Sequence, residues 1–416
     1  MLIKCLGGFR EVGRNAVLVE TKGERLLLDY GLKVETGETP MPVNNVDAIL
    51  LCHPHLDHSG SVPVLYRKFS APLYSTAATF DQTHLLWKDS MKVARLKGRP
   101  QIFTDANVEA AKSNEVRVTY GQQFETAAAV IDVHDAGHVT GSAMFVLEIE
   151  GKRLLYTSDF NTISTRLLNG ARVDQLKDID IMIMETTYGS RDHPPRDETE
   201  KKLVEIVRET ISNNGIALIP VFAIGRAAEI LMVLNAFKPD YPIYIDGMAR
   251  EATDIATHYP ELVRDSKALK EAFERAVPLY TDDERKDALK SPCAIVTTGG
   301  CIEGGPAVMY IRHLYSRPEC SLVFTGFQIP RTAGRYLLDT GRFVAEDVDL
   351  AVKMAIHSLD FSAHAGRTQL IDFVNKVRPE KVICMHGDYC ERFATEIKGR
   401  FGIDAIAPKN GDIIKT

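Results

Sequence analysis

Short apolar runs separated by glycine-bearing turns open the chain. Residues 2–6, 16–20 and 25–29 are β-rich and are punctuated by Gly7-Gly8, Gly13 and Lys22-Gly23, the pattern of an antiparallel meander. The apolar run over residues 48–52 predicts a short buried strand. Apolar spacing then predicts helices over residues 62–69 and 77–97, and strands return at residues 130–134, 153–157 and 179–185. Beyond Glu185 the texture changes. A polar stretch leads into a helical run over residues 201–213, a strand at 216–220, a helix after Gly225 and a strand at 243–246. Strands alternating with helices predict a mainly parallel α/β domain, unlike the segment before it, and the stretch reads as an insertion. A last strand is expected at residues 382–385.

Composition adds bounds. With 416 residues, 45% hydrophobic and 25% charged, the chain is long enough for two or more globular domains. No apolar run approaches the roughly 20 residues of a membrane span, and the start lacks a signal-peptide layout, so a cytoplasmic location is expected. Seven scattered cysteines without a Cys-x-x-Cys pair predict reduced thiols in apolar packing. The formal net charge of −6 gives no global basic signal, so a nucleic acid would have to be held by a local groove and by bound cations.

The candidate chemistry begins where the 48–52 strand ends, in His53-Pro54-His55-Leu56-Asp57-His58. Four good metal ligands in six positions are unexpected in a chain with 12 histidines, and imidazole with carboxylate suits zinc or a similar first-row ion. Alternation along extended backbone would send His53, His55 and Asp57 to one side, with a turn giving His58 another angle. One metal takes three or four protein ligands and a catalytic one keeps a position for water, so the stretch implies two metals and further ligands elsewhere. The His-x-His-x-Asp-His pattern resembles the metallo-β-lactamase superfamily, which implies an αββα sandwich with a metal pair at one edge of its sheets. The resemblance points to His138, flanked by glycines, as a ligand, and to Asp159 at a strand end as the bridging carboxylate. Asp29 reads either as a turn aspartate or, as the resemblance implies, as a hydrogen-bonding support of the metal loop. His84, His134, His313 and His357 read as packing or surface residues, and Arg95, Lys97 and Arg99 as a solvated face.

Further tokens narrow the resemblance to the β-CASP ribonuclease branch of cleavage and polyadenylation and ribonuclease J type: Glu-Thr-Thr-Tyr-Gly at 185–189, Ile-Pro-Val-Phe-Ala-Ile-Gly-Arg-Ala at 219–227, Ile-Asp-Gly-Met-Ala at 245–249 and Thr-Gly-Phe-Gln at 325–328. The fold so implied is an αββα sandwich interrupted by an inserted α/β β-CASP domain of mainly parallel sheet. Its expected parts are residues 1–188, an insertion at 189–345 and a return at 346–416. The resemblance implies two Zn2+ or Mn2+ ions, held by His53, His55 and His138 on one side and Asp57, His58 and His386 on the other, bridged by Asp159. It implies His364 as the acid meeting the leaving group, supported by Glu185, and Ser362 on the same loop. Arg226, Arg250, Arg331 and Arg335 are candidates for an RNA groove. The glycine-rich stretch 297–306 reads equally as a phosphate cradle or a tight structural turn. The chain departs from the branch at Ile329-Pro330-Arg331 and at Asp388, where glutamate is usual. With the first strand at the start of the sequence, no amino-terminal KH domains are expected. The expected function is hydrolysis of single-stranded RNA, internal cutting ahead of 5′-to-3′ trimming, by a homodimer that associates with other RNA-processing proteins. A DNA nuclease and a non-catalytic scaffold are the alternatives.

Overall fold

In the computed structural model, residues 1–345 and 348–416 are described. The chain divides into two compact units, residues 1–164, 169–192 and 363–416 in the first, and residues 165–168 and 193–362 in the second.

The first unit holds two seven-stranded sheets. The opening meander is there: Leu2–Gly7, Ala16–Glu20 and Arg25–Leu28 pair antiparallel, with Ile413–Lys415 closing the edge. Ala48–Leu50, Leu73–Thr76 and Glu115–Val118 extend that sheet in parallel. The second sheet runs Asp404–Ile406, Lys381–Met385, Ile181–Glu185 and Lys152–Tyr156 in parallel, then Ala143–Ile149, Val130–Asp135 and Gln123–Glu125 antiparallel. Alternate residues of both sheets, among them Val17, Leu28, Leu50, Ile131, Phe145, Leu154 and Ile183, meet in one dry layer. The opposite faces are covered by helices. Phe80, Trp87 and Met91 of helix Ala77–Leu96 pack on the first sheet, and Leu370, Phe373 and Ile397 of helices Arg367–Val377 and Cys390–Phe401 pack on the second. The unit is therefore a four-layer αββα sandwich.

The second unit is built on a six-stranded sheet, ordered Val277–Leu279, Ile243–Asp246, Cys293–Thr298, Ile216–Val221, Ser321–Phe324 and Ala355–Ser358, parallel throughout. Its four central strands are apolar on both faces, as a sheet sandwiched between helices requires. The Ala355–Ser358 strand keeps the chain in this unit through Ser362. The return expected at 346 starts on Glu346, which lies outside the described residues. The helix expected over 62–69 is only one turn, Val62–Leu65, because the following residues fold into a turn. All seven cysteines are buried and none forms a disulfide, consistent with thiols used as packing. Among the described residues no helix is long and apolar enough to cross a membrane.

Trp87 ties this scaffold to the histidine-rich loop: it is fully buried and its indole N–H donates to the Ser59 carbonyl at 3.0 Å. Trp87→Ala is expected to cost the first unit about 3–5 kcal/mol through lost burial and a cavity, and Trp87→Phe about 1–3 kcal/mol through the orphaned carbonyl. Urea unfolding followed by far-UV circular dichroism measures both, and an unchanged midpoint would refute the assignment.

Candidate metal centre

The Ala48–Leu50 strand delivers Leu51 to His55 as extended chain, after which residues 56–59 form a single helical turn. This corrects the expectation that alternation would place His53, His55 and Asp57 together. The change from period 2 to period 3.6 at Leu56 divides the motif between two clusters. His53 and His55 lie with His138 and Asp159, whereas Asp57 and His58 lie with Asp159 and His386; in each set the potential ligand atoms fall within 4.8 Å of one another. A third set joins Asp159 to Glu185 and His364.

Four other strand ends supply the rest. His138 follows the Val130–Asp135 strand in a loop whose backbone is pinned by Ser142 Oγ, which accepts from the amides of His138 and Val139 at 3.1 and 3.2 Å. Asp159 follows Lys152–Tyr156, Glu185 ends Ile181–Glu185, and His386 follows Lys381–Met385. Asp159 is common to all three sets. One of its oxygens stands 3.3 Å from His58 Nε2, 3.5 Å from His53 Nε2 and 3.8 Å from His138 Nε2, and the other 3.2 Å from His386 Nδ1.

Hydrogen bonds fix the rings. Asp29, fully buried, accepts from Cys52 N at 2.8 Å and Tyr156 Oη at 2.9 Å, and meets His58 Nδ1 at 2.7 Å. These bonds tie Asp29 to the loop and turn Nε2 of His58 toward the cluster. His138 Nδ1 donates to the Ala363 carbonyl at 3.0 Å, and His386 Nδ1 lies 2.9 Å from Thr187 Oγ1. His53 Nε2 is buried with no hydrogen-bond partner among the described residues. An orphaned imidazole nitrogen facing carboxylates and other imidazoles is costly in a protein interior and suits a coordinated cation.

Electrostatics separate the two halves. Burial drives His53 and His138 well below the usual histidine range and brings His55 down to about 4, so these rings are neutral, the form a metal needs. For His386 burial is outweighed by Asp159, and its pKa is raised well above normal. Burial would raise Asp159 and Asp57, yet the neighbouring histidines, His386 and His58 foremost, pull both down. Protons thus stand in the second half where cationic charge is called for. His364 Nδ1 sits 3.0 Å from both oxygens of Glu185, which also accepts from Phe160 N at 2.8 Å. Burial lowers the His364 pKa, but Glu185 and Asp159 prevail and raise it.

The sequence-derived groove residues belong to the second unit. Arg250 donates to the Leu279 carbonyl at 2.6 Å and stacks 4.0 Å over Tyr280, and Arg335 makes a forked pair with Asp339 at 2.6 and 2.9 Å. Both are thereby engaged within their own unit. Arg226 is half-buried at the start of helix Arg226–Ala236, Arg331 is exposed, and Ser362 N donates to Asp360 Oδ1 at 3.0 Å. In the glycine-rich stretch, carbonyls are held by the chain itself: Gln328 Nε2 donates to Gly300 O at 2.8 Å and Gly334 N to Cys301 O at 3.0 Å. His84 pairs with Glu115, and His134, His313 and His357 join no cluster among the described residues. Residues that sequence reasoning missed are Asn15, Tyr156, Ser158 and Thr187. Thr187 stood in a recognised token and Ser158 beside Asp159; Asn15 carried no signal.

Three family models match the chain: "Metallo-beta-lactamase superfamily domain" over residues 18–187, "Beta-Casp domain" over 227–337 and "Zn-dependent metallo-hydrolase RNA specificity domain" over 349–408. Similar proteins include "Probable RNase MJ4" of Methanocaldococcus jannaschii, 34% identical over 98% of both chains. "Transcription termination factor FttA" of Pyrococcus abyssi is 35% identical over 99% of this chain and 71% of its own. "RNase J-like protein" of Methanocaldococcus jannaschii is 33% identical over 100% and 99%. A solved structure, described as a protein of unknown function from Enterococcus faecalis V583, shares the fold with TM-score 0.63 over 99% of both chains at 14% identity. With an αββα sandwich, an inserted parallel α/β unit, histidine-aspartate clusters at the strand ends and full-length relatives above 30% identity, the chain belongs to the metallo-β-lactamase superfamily, in its β-CASP branch.

Proposed function

We propose that the protein is a di-zinc ribonuclease that hydrolyses phosphodiester bonds of single-stranded RNA, cutting internally. The observation that carries this reading is the Glu185–His364 pair set against Asp159 and the two flanking clusters. His53, His55 and His138 would hold one cation and Asp57, His58 and His386 the other, with Asp159 shared. Bound there, two cations supply a water acidic enough to attack at neutral pH and offset charge on the phosphate. The remaining steps are the chain's own. Glu185 engages Nδ1 of His364 and keeps the ring protonated, so Nε2 is the nitrogen that can hand a proton to the departing ribose 3′-oxygen. The products would carry a 5′-phosphate and a 3′-hydroxyl. RNA as substrate is supported by the ribonuclease names of the relatives and the RNA specificity model over residues 349–408. A cytoplasmic homodimer, working with other RNA-processing proteins and using Arg226, Arg331 and Ser362 toward RNA, completes the reading.

Elemental analysis is expected to find two zinc-sized ions per chain, and chelation to remove cleavage. Asp57→Ala should abolish cleavage with an unchanged far-UV spectrum, because the residue is a partly exposed ligand on a short turn and not part of the core. Full activity with one ion or none would end this reading.

Glu185→Gln should lower kcat by about 10²–10⁴-fold while leaving RNA Kd nearly unchanged. The sign of the pH effect follows from the pair: Glu185 raises the His364 pKa, so its neutralisation moves the alkaline limb of the kcat profile to lower pH. Parallel loss of binding and turnover, with an unmoved limb, would reassign Glu185 to structure.

The ribonuclease J-like relative keeps 5′-to-3′ trimming as the second reading. A circular single-stranded RNA offers no end and should still be cut. A surviving circle beside complete digestion of the 5′-monophosphorylated linear form would reverse the order.

A further inference from the structure

Asn15 is fully buried, and its main chain is part of the metal loop's support: its N–H donates to the Asp57 carbonyl at 2.7 Å and its carbonyl accepts from Gly31 N at 2.9 Å. Those bonds do not involve the side chain. The carboxamide instead reaches into the second half of the cluster, with Nδ2 2.8 Å from His58 Nε2 and 3.2 Å from the Asp57 carbonyl. Oδ1 is buried and has no hydrogen-bond partner among the described residues. It rests against Gly8, where a Cβ would approach it to 2.1 Å, so the bare Gly8 backbone makes the space that the amide occupies.

The contact bears on metal loading because His58 has one nitrogen to give. Nδ1 is taken by Asp29, so Nε2 is the atom that faces Asp159 and Asp57 and that a cation would use. With the ring neutral, its lone pair accepts from the Asn15 N–H; with the ring protonated, the amide can turn and present Oδ1 to the Nε2 proton. Either way the ligating nitrogen is held by Asn15 before a cation arrives, and the bond must break for coordination. In the first half His53 Nε2 has no hydrogen-bond partner among the described residues, and His55 Nδ1 and His138 Nε2 bond to each other at 3.2 Å, so the groups held there are two members of the same set and no outside side chain is shown holding them.

We infer that Asn15 is a residue that sets the order and affinity of metal uptake, weakening the Asp57–His58–His386 half relative to the His53–His55–His138 half so that the latter fills first. The inference rests on the two-cation reading above. It makes the carboxamide a brake on one half-site, beside the bond it donates to the Asp57 carbonyl.

The test is titration of the metal-free full chain with Zn2+ against a competing chromophoric chelator, for wild type, Asn15→Ala and Asn15→Ser, with far-UV spectra to establish folding. Wild type is expected to take up two ions in two resolved steps. In both variants the second step should tighten by about two- to tenfold, the worth of one neutral hydrogen bond, with the first step unmoved. A second step that is unchanged or weaker in both folded variants overturns the inference. Uptake of a single ion or none by wild type overturns the two-cation reading and the inference with it. Asn15→Ser keeps a polar side chain too short to reach His58, so it carries the comparison if the alanine variant does not fold.

Discussion

Asp159 is 2% exposed, and five imidazoles approach it to between 3.2 and 4.0 Å. A carboxylate removed from water costs several kcal/mol unless positive charge is brought to it, and Asp57 and Glu185 stand in the same sets. Much of the first unit serves that demand. Both sheets run their parallel strands so that Ala48–Leu50, Lys152–Tyr156, Ile181–Glu185 and Lys381–Met385 end in the loops that carry the charged groups. The apolar interiors of these strands make the layer between the sheets, and only their ends are polar.

Geometry of that quality has a cost in the backbone. Asp29, Ser158 and His386 all adopt left-handed conformations, with φ of 55°, 49° and 49°. Each costs about 1–3 kcal/mol for a residue with a side chain and persists where surrounding contacts determine it. The compensation is visible at Asp29, with bonds from Cys52, Tyr156 and His58, and at His386, which meets Asp57, Asp159 and Thr187. Twelve non-glycine residues among those described have positive φ, and these three are the ones whose side chains also enter the cluster.

The elements that were legible in the sequence are those governed by local rules. Glycine-punctuated apolar runs gave the opening meander, the alternation of strands and helices gave the parallel second unit, and the density of ligands in His53–His58 marked the loop. What was not legible depended on switching between periods or on distant partners. Local periodicity in Leu56-Asp57-His58 does not announce that four residues turn helical and carry Asp57 away from His53 and His55, a division that only the family resemblance implied. Arg250 and Arg335 looked available because a sequence does not show that Tyr280 and Asp339 claim them. Asn15 was invisible for the same reason: its significance arises from His58, 43 positions away, and from the space left by Gly8.

The short turn itself is enforced from outside. A Cβ on Gly31 would fall 1.7 Å from the Asp57 carbonyl oxygen, and one on Gly60 would fall 2.4 Å from that of Leu56, so the main chain of the metal loop lies directly on its neighbours with no side chain between. The Asp57 carbonyl accepts from Asn15 N, and the His58 carbonyl accepts from Tyr30 N. The loop is thus bonded by its main chain to residues 15, 30 and 32, so its backbone does not depend on the side chains of Asp57 and His58. That separation explains how residues so close in sequence can face different partners: the scaffold holds the backbone, while Asp29 and Asn15 fix the His58 ring and Asp57 meets His386.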